Sequence, residues 1–523
     1  MTAAWLVPLP VVLPLIGAGL TVVAGRRTVL QRIITATIFL AVVAIAATLL
    51  VTASHGERLT VAVGGWHPVD GIVLVVDRLS ALMLLVSSVV TTGVMFYAMG
   101  QGVASDDLED GGAPLPIFHP TLLVLSAGVS TTFLSGDLFH LYVGFEMLLF
   151  ASFVLLTLGG TESRVRAGAN YVVVNLVSSI IFLLAIGLVY AATGTVDMAQ
   201  LAQRLDDLPL ATNLMLHAML LVGFCIKAAV FPMSGWLPDS YPTAPAPVTA
   251  VFAGLLTKVG IYSIIRTETL LFPDGRLDQV LLWAALLTMV VGILGAVAQD
   301  DIKRLLSFTL VSHIGYMVFG LAVGNVQGDS AAIFYAAHHI TVQTALFLVI
   351  GLIELRGGST SLDHLGGLLK MAPGLALLFF LPALNLAGIP PLSGFLGKVG
   401  LLDAAAHHGG WLAWTVMAGA LVTSLLTLYA ISRVWGRAFW RTPRALVTAA
   451  DGSSADVTGD QAEAVVASRP LPRSVVLPSA ALVLLSCLFT VVAGPLFGYT
   501  DDAARQLADR AGYVSDVMTT GGR

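Results

Sequence analysis

The sequence predicts an all-α protein with many membrane-spanning helices, and three observations support this fold class. Hydrophobic residues make up 57% of the 523 residues, charged residues make up only 11%, and the mean hydropathy is +0.90. A soluble protein carries about 25% charged residues. The apolar residues are gathered into long segments with short connections, and two segments are interrupted by proline and glycine. We therefore expect a single membrane domain over residues 1–523.

About fourteen apolar segments of roughly 20 residues are long enough to cross the hydrocarbon core of a bilayer. They lie at 3–24, 33–54, 78–100, 115–134, 137–158, 169–192, 212–232, 243–266, 277–299, 303–324, 329–354, 372–405, 411–437 and 475–498. The first segment has neither a preceding basic residue nor a small-residue cleavage site, so it predicts a retained helix rather than a signal peptide.

The lysines and arginines of the loops predict the orientation of the chain. With this division, loops after odd-numbered segments carry fifteen of them and loops after even-numbered segments carry five. Because basic loops tend to stay in the cytoplasm, we expect the first set of loops to be cytoplasmic. Both termini are then expected outside, with the protein in the cell (inner or plasma) membrane.

Several functional classes find no support in the sequence. No basic patch with interleaved aromatic residues indicates nucleic-acid binding, and the isolated Cys225 and Cys487 indicate neither a disulfide nor a metal site. Nucleophile spacings and Gly-rich phosphate loops are also missing, so we expect neither an enzyme nor a bound cofactor. Residues 446–470 form the one polar, low-complexity stretch, which predicts a flexible cytoplasmic loop.

Two membrane segments are interrupted at comparable places in the two halves of the chain. The interruptions contain the prolines Pro232, Pro238, Pro390 and Pro391. Backbone freed from helical hydrogen bonds is tolerated at membrane depth only inside protein or beside a wet cavity, and paired interruptions indicate a transport site. Lys227 lies five residues before Pro232, and Lys398 lies seven residues after Pro391. The alternative is that the prolines only kink helices for packing.

Three lysines and one glutamate lie inside apolar segments: Lys227, Lys258, Lys398 and Glu146. A charged side chain at the bilayer centre costs about 2.5–3.5 kcal/mol, so each is a candidate functional residue. No charged residue lies at helical spacing from Glu146, so its expected partner is Lys227. Separating this pair would favour loss of the lysine proton, unless the pair is a static salt bridge. Lys258 predicts a relay toward the second half, unless it is permanently neutral or structurally paired.

Another polar group is predicted in the segment AAIFYAAHHITVQTALFLVIGLIE. His339 and Gln343 are four residues apart and share one helix face, which also carries Tyr335. Because a histidine can take up and release a proton near neutral pH, His338 and His339 predict a relay between the lysines. The alternative is a pair of packed, hydrogen-bonded histidines.

Four weaker candidates complete the set: Ser312, His313, Asp137 and His140. Asp137 falls at a helix start, where an N-cap is its expected role. We expect His313 to be structural.

Several stretches of the sequence resemble the D-type subunit of the multisubunit Mrp-type Na+/H+ antiporters. They are TFLSGDLFHLYVGFEMLLFASFVLL, WLPDSYPTAPAPVTAVFAGLLTKVGIYSIIR, RLLSFTLVSHIGYMVFGLAVG and LNLAGIPPLSGFLGK, and the resemblance covers roughly residues 70–435. The wider group includes the antiporter-like subunits of respiratory NADH:quinone oxidoreductase (complex I). The resemblance implies fourteen helices with two inverted five-helix repeats, 115–266 and 277–437, each with one broken helix.

The resemblance also implies roles for single residues. Glu146 resembles the glutamate of helix five, Lys227 and Lys258 the lysines of helices seven and eight, and Lys398 the terminal lysine beside the second break. Where many relatives have a lysine, this chain has Gln343, so the middle of the relay would depend on the histidines and water.

The function that the resemblance implies is exchange of cytoplasmic Na+ for external H+. The chain would be the proton-translocating subunit of a hetero-oligomer in the lipid bilayer, with other membrane subunits of the antiporter as its partners. Two alternatives remain open at this point: a proton-pumping subunit of complex I, and a scaffold subunit that conducts no ions.

Overall fold

The computed structural model describes residues 3–68, 71–101, 117–448, 454–469 and 471–519, and it confirms the predicted all-α class. Twelve of the described helices are long and apolar enough to cross a membrane. Two shorter apolar helices, Phe118–Leu134 and Pro373–Ala387, accompany them. The count of fourteen membrane helices stays a prediction.

The α-helices of the described residues begin and end as follows. The first half contains α1 (Leu9–Ala24), α2 (Thr28–Ser54), α3 (Arg78–Gln101), α4 (Phe118–Leu134), α5 (Leu138–Leu156), α6 (Glu162–Thr193), α7 (Met198–Arg204), α8 (Leu210–Ala228), α9 (Trp236–Ser240), α10 (Ala246–Val251) and α11 (Thr257–Leu270). The second half contains α12 (Asp278–Val297), α13 (Ile302–Ala322), α14 (Val326–Gly357), α15 (Leu368–Met371), α16 (Pro373–Ala387), α17 (Ser393–His408), α18 (Trp411–Val434), α19 (Asp460–Ser468), α20 (Arg473–Val491), α21 (Ala493–Ala508) and α22 (Arg510–Met518).

Two small antiparallel hairpins lie among the helices. Strand β1 (Leu59–Ala62) pairs with β2 (Val73–Val76), so that Leu59 faces Val76 and Ala62 faces Val73. Strand β3 (Arg444–Thr448) pairs with β4 (Ser454–Thr458) in the same manner.

The centre of the protein is formed by two helical stretches whose most apolar 18 residues are completely buried. One is the continuous helix Ala246–Leu270, made of α10, a π-helical turn at Phe252–Leu256 and α11. The other is α14. In helices α1, α2 and α20, by contrast, only 28–33% of the corresponding residues are buried, as expected for helices that face lipid. Both central stretches carry titratable residues that the sequence analysis singled out, so these residues lie in the protein core.

Both predicted helix breaks are present. Helix α8 ends at Ala228, and Ala229 takes a left-handed conformation at φ 59°. Helix α16 ends at Ala387, and Gly388 takes a left-handed conformation at φ 83°. The segment predicted at 372–405 is therefore two helices, α16 and α17. Proline ends the α-helical ladder because it lacks an N–H, and the breaks are tolerated because they lie inside protein.

Side chains of neighbouring segments bind the backbone that the first break leaves unpaired. The indole nitrogen of Trp236 donates to the Ile226 carbonyl at 3.1 Å, and the Phe231 amide donates to the Thr288 hydroxyl at 3.0 Å. These two hydrogen bonds stabilise the break.

Helices α5 and α6 have counterparts in α13 and α14 at a constant sequence separation. Asp137 caps α5 and Asp301 caps α13, each by accepting from the amide three residues later. Gly194 and Gly358, separated by the same number of residues, end α6 and α14 in the left-handed conformation.

The two halves also share a pattern of backbone hydrogen bonds. The amides of Leu138 and Met198 bond to the Val196 and Gly136 carbonyls. The amides of Ile302 and Leu362 bond to the Thr360 and Asp300 carbonyls in the same pattern. The bounds and inversion of the predicted repeats stay predictions.

The polar stretch predicted as a flexible loop at 446–470 contains regular structure where it is described. Strand β4 and helix α19 lie within it, and Ala462 and Val466 of α19 form a small apolar core with Ala445 of β3. An ion pair of 2.7 Å between Lys370 and Glu463 joins α19 to α15. The sequence analysis missed these elements because they are short and bury few apolar residues.

Candidate functional site

Lys227 lies in the last turn of α8, directly before the first break, and its side chain is buried with 5% exposure. Its ammonium donates to the amide oxygen of Asn175 at 3.1 Å, and it lies 5.6 Å from the centre of the Phe145 ring. A neutral amide and an aromatic face therefore surround a group that the sequence analysis paired with a carboxylate.

The predicted ion pair between Glu146 and Lys227 is not formed in this structure. Glu146 is half-buried on α5, next to the phenylalanine that faces the lysine, and its Oε1 is buried with no hydrogen-bond partner among the described residues. The lysine donates instead to Asn175 on α6. The two charges are thus close neighbours in the fold but separate.

Lys258 lies at the start of α11 and is completely buried. Its ammonium donates to the main-chain carbonyl of Ala253 at 2.6 Å. Ala253 belongs to the π-helical turn, and such turns are frequent at functional sites. The wider turn places a carbonyl oxygen where the amine of the following turn can reach it.

A cluster of rings lies between α13 and α14, which we call the histidine cluster: His313, Tyr316, Tyr335, His338 and His339. The ring centres of His313 and His339 are 5.1 Å apart, and the Tyr335 hydroxyl bonds to Nδ1 of His313 at 2.9 Å. The ring centre of Tyr316 lies 5.6 Å from that of Tyr335. The structure therefore places His313, expected to be structural, inside the group of titratable side chains.

Several nitrogens of the histidine cluster have no hydrogen-bond partner among the described residues. They are Nε2 of His313, Nε2 of His338 and both ring nitrogens of His339. All three histidines are completely buried. Buried polar side-chain atoms are normally hydrogen-bonded, so a concentration of free nitrogens calls for a functional explanation.

The second break is lined by a chain of hydrogen bonds that begins at the histidine cluster. Nδ1 of His338 bonds to the Ser393 hydroxyl at 3.0 Å. The Asn385 amide oxygen accepts from this hydroxyl at 3.2 Å and from the Gly394 amide at 2.8 Å. One histidine of the cluster is therefore fixed to the start of α17.

Lys398 lies on α17 and turns back onto the end of α16. Its ammonium donates to the Ala387 carbonyl at 3.0 Å and to the Ser424 hydroxyl at 2.9 Å. It also lies 5.0 Å from the centre of the Tyr316 ring. The last carbonyls of a helix are unpaired and carry partial negative charge, so the broken end of α16 attracts a cation. Gly388 permits the approach, because a Cβ there would lie 3.0 Å from the Lys398 side chain.

The three buried lysines differ from the other buried cations. No described carboxylate lies within 4.0 Å of Lys227, Lys258 or Lys398. Arg266 and Lys303, in contrast, each contact a carboxylate at 2.6 Å, from Asp77 and Glu354 respectively. These three lysines are thus held by neutral acceptors, and Lys227 and Lys398 also lie against aromatic rings.

The remaining predicted residues have separate roles. Gln343 donates to the Leu306 carbonyl at 2.9 Å and leaves its own oxygen unpartnered among the described residues. Ser312 bonds to the Met289 carbonyl at 2.9 Å and so joins α13 to α12. Asp137 caps α5 through the His140 amide at 2.7 Å, which confirms its expected role.

Three contacts of the lysines were missed by the sequence analysis: Asn175, Tyr316 and Ser424. A signal for Asn175 does exist. Tyr171 and Asn175 of α6 are four residues apart in the sequence, as are Tyr335 and His339 of α14. The sequence separation between the two pairs equals that between the helix caps Asp137 and Asp301. The other two contacts depend on packing between helices and leave no local pattern.

The fold and the site define a class: helical membrane proteins with broken helices whose core carries a row of titratable side chains, a typical arrangement of ion-translocating proteins. The chain belongs to the NADH:quinone oxidoreductase/Mrp antiporter transmembrane family, whose model matches residues 135–427. It is accordingly a multi-pass membrane protein.

Known proteins resemble the chain over almost its full length. The D-type Na(+)/H(+) antiporter subunit of Alkalihalophilus pseudofirmus is 37% identical, and the match covers 98% of this chain and 99% of that protein. The protein of the same name from Bacillus subtilis is 33% identical, with 98% of both chains covered. A chain in the structure of the Mrp complex from Dietzia sp. DQ12-45-1b superimposes with a TM-score of 0.88 at 32% identity, and the match covers 99% of this chain and 100% of that one.

Proposed function

We propose that this chain is the proton-translocating subunit of a multisubunit antiporter that exchanges cytoplasmic Na+ for external H+. The relatives named as D-type subunits of Na+/H+ antiporters support this function, and they favour a transporter over an enzyme. The similarity to a chain of the Mrp complex supports an assembly with other membrane subunits. Na+ and H+ are then the substrates of the complex.

The observation that carries the proposal is that the buried Lys227, Lys258 and Lys398 have no carboxylate within 4.0 Å among the described residues. A fixed structural role would be served by an ion pair, as for Arg266 with Asp77. An ammonium buried without a carboxylate is expensive, and the neutral amine removes that cost. Each lysine is therefore a site where a proton binds and leaves.

The geometry suggests a route for protons in the second half. Lys398 lies against the Tyr316 ring, and the histidine cluster continues from there through Tyr335 and His313 to His339. Tyr335 and His313 are hydrogen-bonded, and the ring-to-ring steps require water to pass the proton. A neutral imidazole donates from one nitrogen and accepts at the other, so it can pass a proton across its ring. The free nitrogens of this cluster are the atoms at which such transfers take place.

In the first half, Glu146 controls the charge of Lys227. Contact between the two would favour the ammonium, and separation favours the amine. The structure shows the separated arrangement. Lys258, which lies on the buried central helix, connects this pair to the histidine cluster.

The decisive experiment uses everted vesicles from cells that lack their own sodium antiporters and express the complete set of subunits. A pH gradient is formed, and its collapse on addition of Na+ is followed by a fluorescent probe. Glu146→Gln is compared with the control Glu162→Gln, which removes an exposed carboxylate paired only with Arg166. We expect loss of exchange in the first variant and unchanged exchange in the second, at equal amounts of assembled complex.

The outcomes separate the proposal from two alternatives. Undiminished exchange in Glu146→Gln would refute a role of Glu146 in the proton path. Loss of assembly before loss of exchange would favour a scaffold. Because the family also includes quinone oxidoreductase subunits, wild-type vesicles that show no Na+ response but form a gradient with NADH would favour complex I.

A further inference from the structure

The acceptor of Lys227 is a side chain to which nothing so far assigns a role. Asn175 lies on α6, is 1% exposed, and faces the end of α8 directly before the first break. It supplies the hydrogen bond to the lysine. The inference below rests on the proposed function, because it concerns how Lys227 is kept ready to exchange its proton.

The orientation of the Asn175 amide is fixed by a second hydrogen bond. Its nitrogen donates to the Tyr171 carbonyl of the same helix at 2.9 Å, so its oxygen is directed at the lysine. A rotated amide would lose both bonds and turn its N–H groups toward the ammonium. Tyr171 itself is held by the Ser152 hydroxyl at 2.6 Å, which connects this arrangement to α5.

Two unsatisfied groups lie beside this hydrogen bond. The ammonium of Lys227 has three donors, and one of them is used. Glu146 has a buried oxygen without a partner among the described residues. Lys227 therefore has two possible acceptors: the neutral Asn175, which it contacts, and the charged Glu146, which it does not contact.

We infer that Asn175 is a positioning residue that holds Lys227 apart from Glu146 between transfer events. An amide is suited to this task because it binds the ammonium without adding a negative charge. A carboxylate at position 175 would hold the proton on the lysine, and an apolar side chain would release the lysine to Glu146, which would hold the proton as well.

The corresponding residue of the second half supports this assignment. Position 175 of α6 corresponds to His339 of α14, at the separation shared by the helix caps of the two halves. The second half thus has a histidine at this place, which can carry a proton. The first half has an asparagine, which can only accept or donate a hydrogen bond. The proton of the first half is accordingly carried by the lysine.

The titratable groups on the helices around Lys227 are His140, Tyr142 and Glu146 on α5, Glu162, Arg164, Arg166, Tyr171 and Tyr190 on α6, and Lys258, Tyr262, Arg266 and Glu268 on α11. Glu162 is paired with Arg166. Glu268 is bound by His217 of α8 at 2.6 Å, ten residues before the lysine. Lys258 is bound by a main-chain carbonyl. Glu146 is thus the one carboxylate near Lys227 that is free among the described residues, and a second carboxylate would compete with it.

The test measures Na+-dependent exchange against pH in the complete complex. We compare Asn175→Asp and Asn175→Leu with Ser178→Ala, which removes another buried contact between the same two helices, the 2.9 Å bond to the Gly223 carbonyl. Asn175→Asp should shift the pH profile upward because a carboxylate then faces the ammonium, and Asn175→Leu should also shift it upward because the released lysine can contact Glu146. Each shift should be about one pH unit, a tenfold change in proton affinity. The control should leave the profile in place.

Upward shifts in both variants would support the inference, because the loss of an acceptor without contact to Glu146 would shift the profile of Asn175→Leu downward. A downward shift in Asn175→Leu, or unchanged profiles at equal assembly, would overturn it. If Asn175→Leu does not assemble, Asn175→Ala takes its place with the same expected direction. Failure of this inference remains distinguishable from failure of the proposed function, since Glu146→Gln would still abolish exchange in the first case.

Discussion

The π-helical turn that binds Lys258 depends on a close approach between two central helices, and Gly254 makes this approach possible. A Cβ at position 254 would overlap the Thr344 hydroxyl of α14 and would lie 3.6 Å from the Ile340 carbonyl. Gly254→Ala therefore forces either Thr344 or the whole turn to move. The Ala253 carbonyl that accepts from Lys258 is one residue away, so the lysine would move as well.

The magnitude follows from the contacts. Overpacking a buried site costs about 1–3 kcal/mol, and alanine recovers up to about 1 kcal/mol through its better helix propensity. We expect a net loss of about 1–2 kcal/mol in the stability of the complex. Thr344→Ala alone gives up one hydroxyl donor, which the Ile340 and Ala250 carbonyls share at 2.8 and 3.3 Å and which is worth about 0.5–1.5 kcal/mol.

The double variant is the informative one, because removing the Thr344 hydroxyl also removes the overlap. Thermal stability of the solubilised complex and exchange in vesicles should both be better in Gly254→Ala/Thr344→Ala than the two single changes predict. The coupling energy should be at least about 0.5 kcal/mol, as for other residues in contact. Strict additivity would refute the reasoning, since it would mean that the alanine methyl group does not meet Thr344.

Three further predictions follow from the site. His339→Ala should reduce exchange steeply in an assembled complex if the route passes through the histidine cluster, and exchange at the wild-type rate would exclude that route. Ser424→Ala removes one of the acceptors of Lys398, and a hydrogen bond to a charged group is worth about 1.5–3 kcal/mol. The protonated lysine loses this stabilisation, so the pH profile of exchange should move to lower pH, and a profile that stays in place would show that Lys398 does not limit the rate. Arg266→Gln leaves Asp77 buried without its partner, at a cost of about 3–5 kcal/mol. The yield of assembled complex should fall and should recover when Asp77→Asn is added, and a yield that stays normal would show that the pair is dispensable.

The sequence was sufficient for the membrane class, the two breaks and the buried lysines. Each of these is a local signal, because proline within an apolar segment and lysine within an apolar segment are both costly. Asp137 could likewise be identified as a cap from its place before a helical segment.

The partners of the lysines could not be predicted in the same way. The pairing of Lys227 with Glu146 followed from charge alone, and in this structure the lysine donates to Asn175 instead. A neutral amide in an apolar helix gives no electrostatic signal, and its spacing to the lysine appears only after α6 and α8 are packed. His313 shows the same limit, because its place among the rings depends on how α13 meets α14.

Two of the three lysines donate to main-chain oxygens: Lys258 to that of Ala253, and Lys398 to that of Ala387 in addition to a serine hydroxyl. Main-chain oxygens are present whatever the side chain at their position, so substitutions at these two alanines leave the acceptors in place as long as the turns persist. An alanine scan would consequently miss both main-chain contacts. Over evolutionary time, the neighbouring sequence can drift while the proton sites are retained. Replacing single peptide groups by esters, which weakens the carbonyl as an acceptor, would probe these contacts where ordinary mutagenesis cannot.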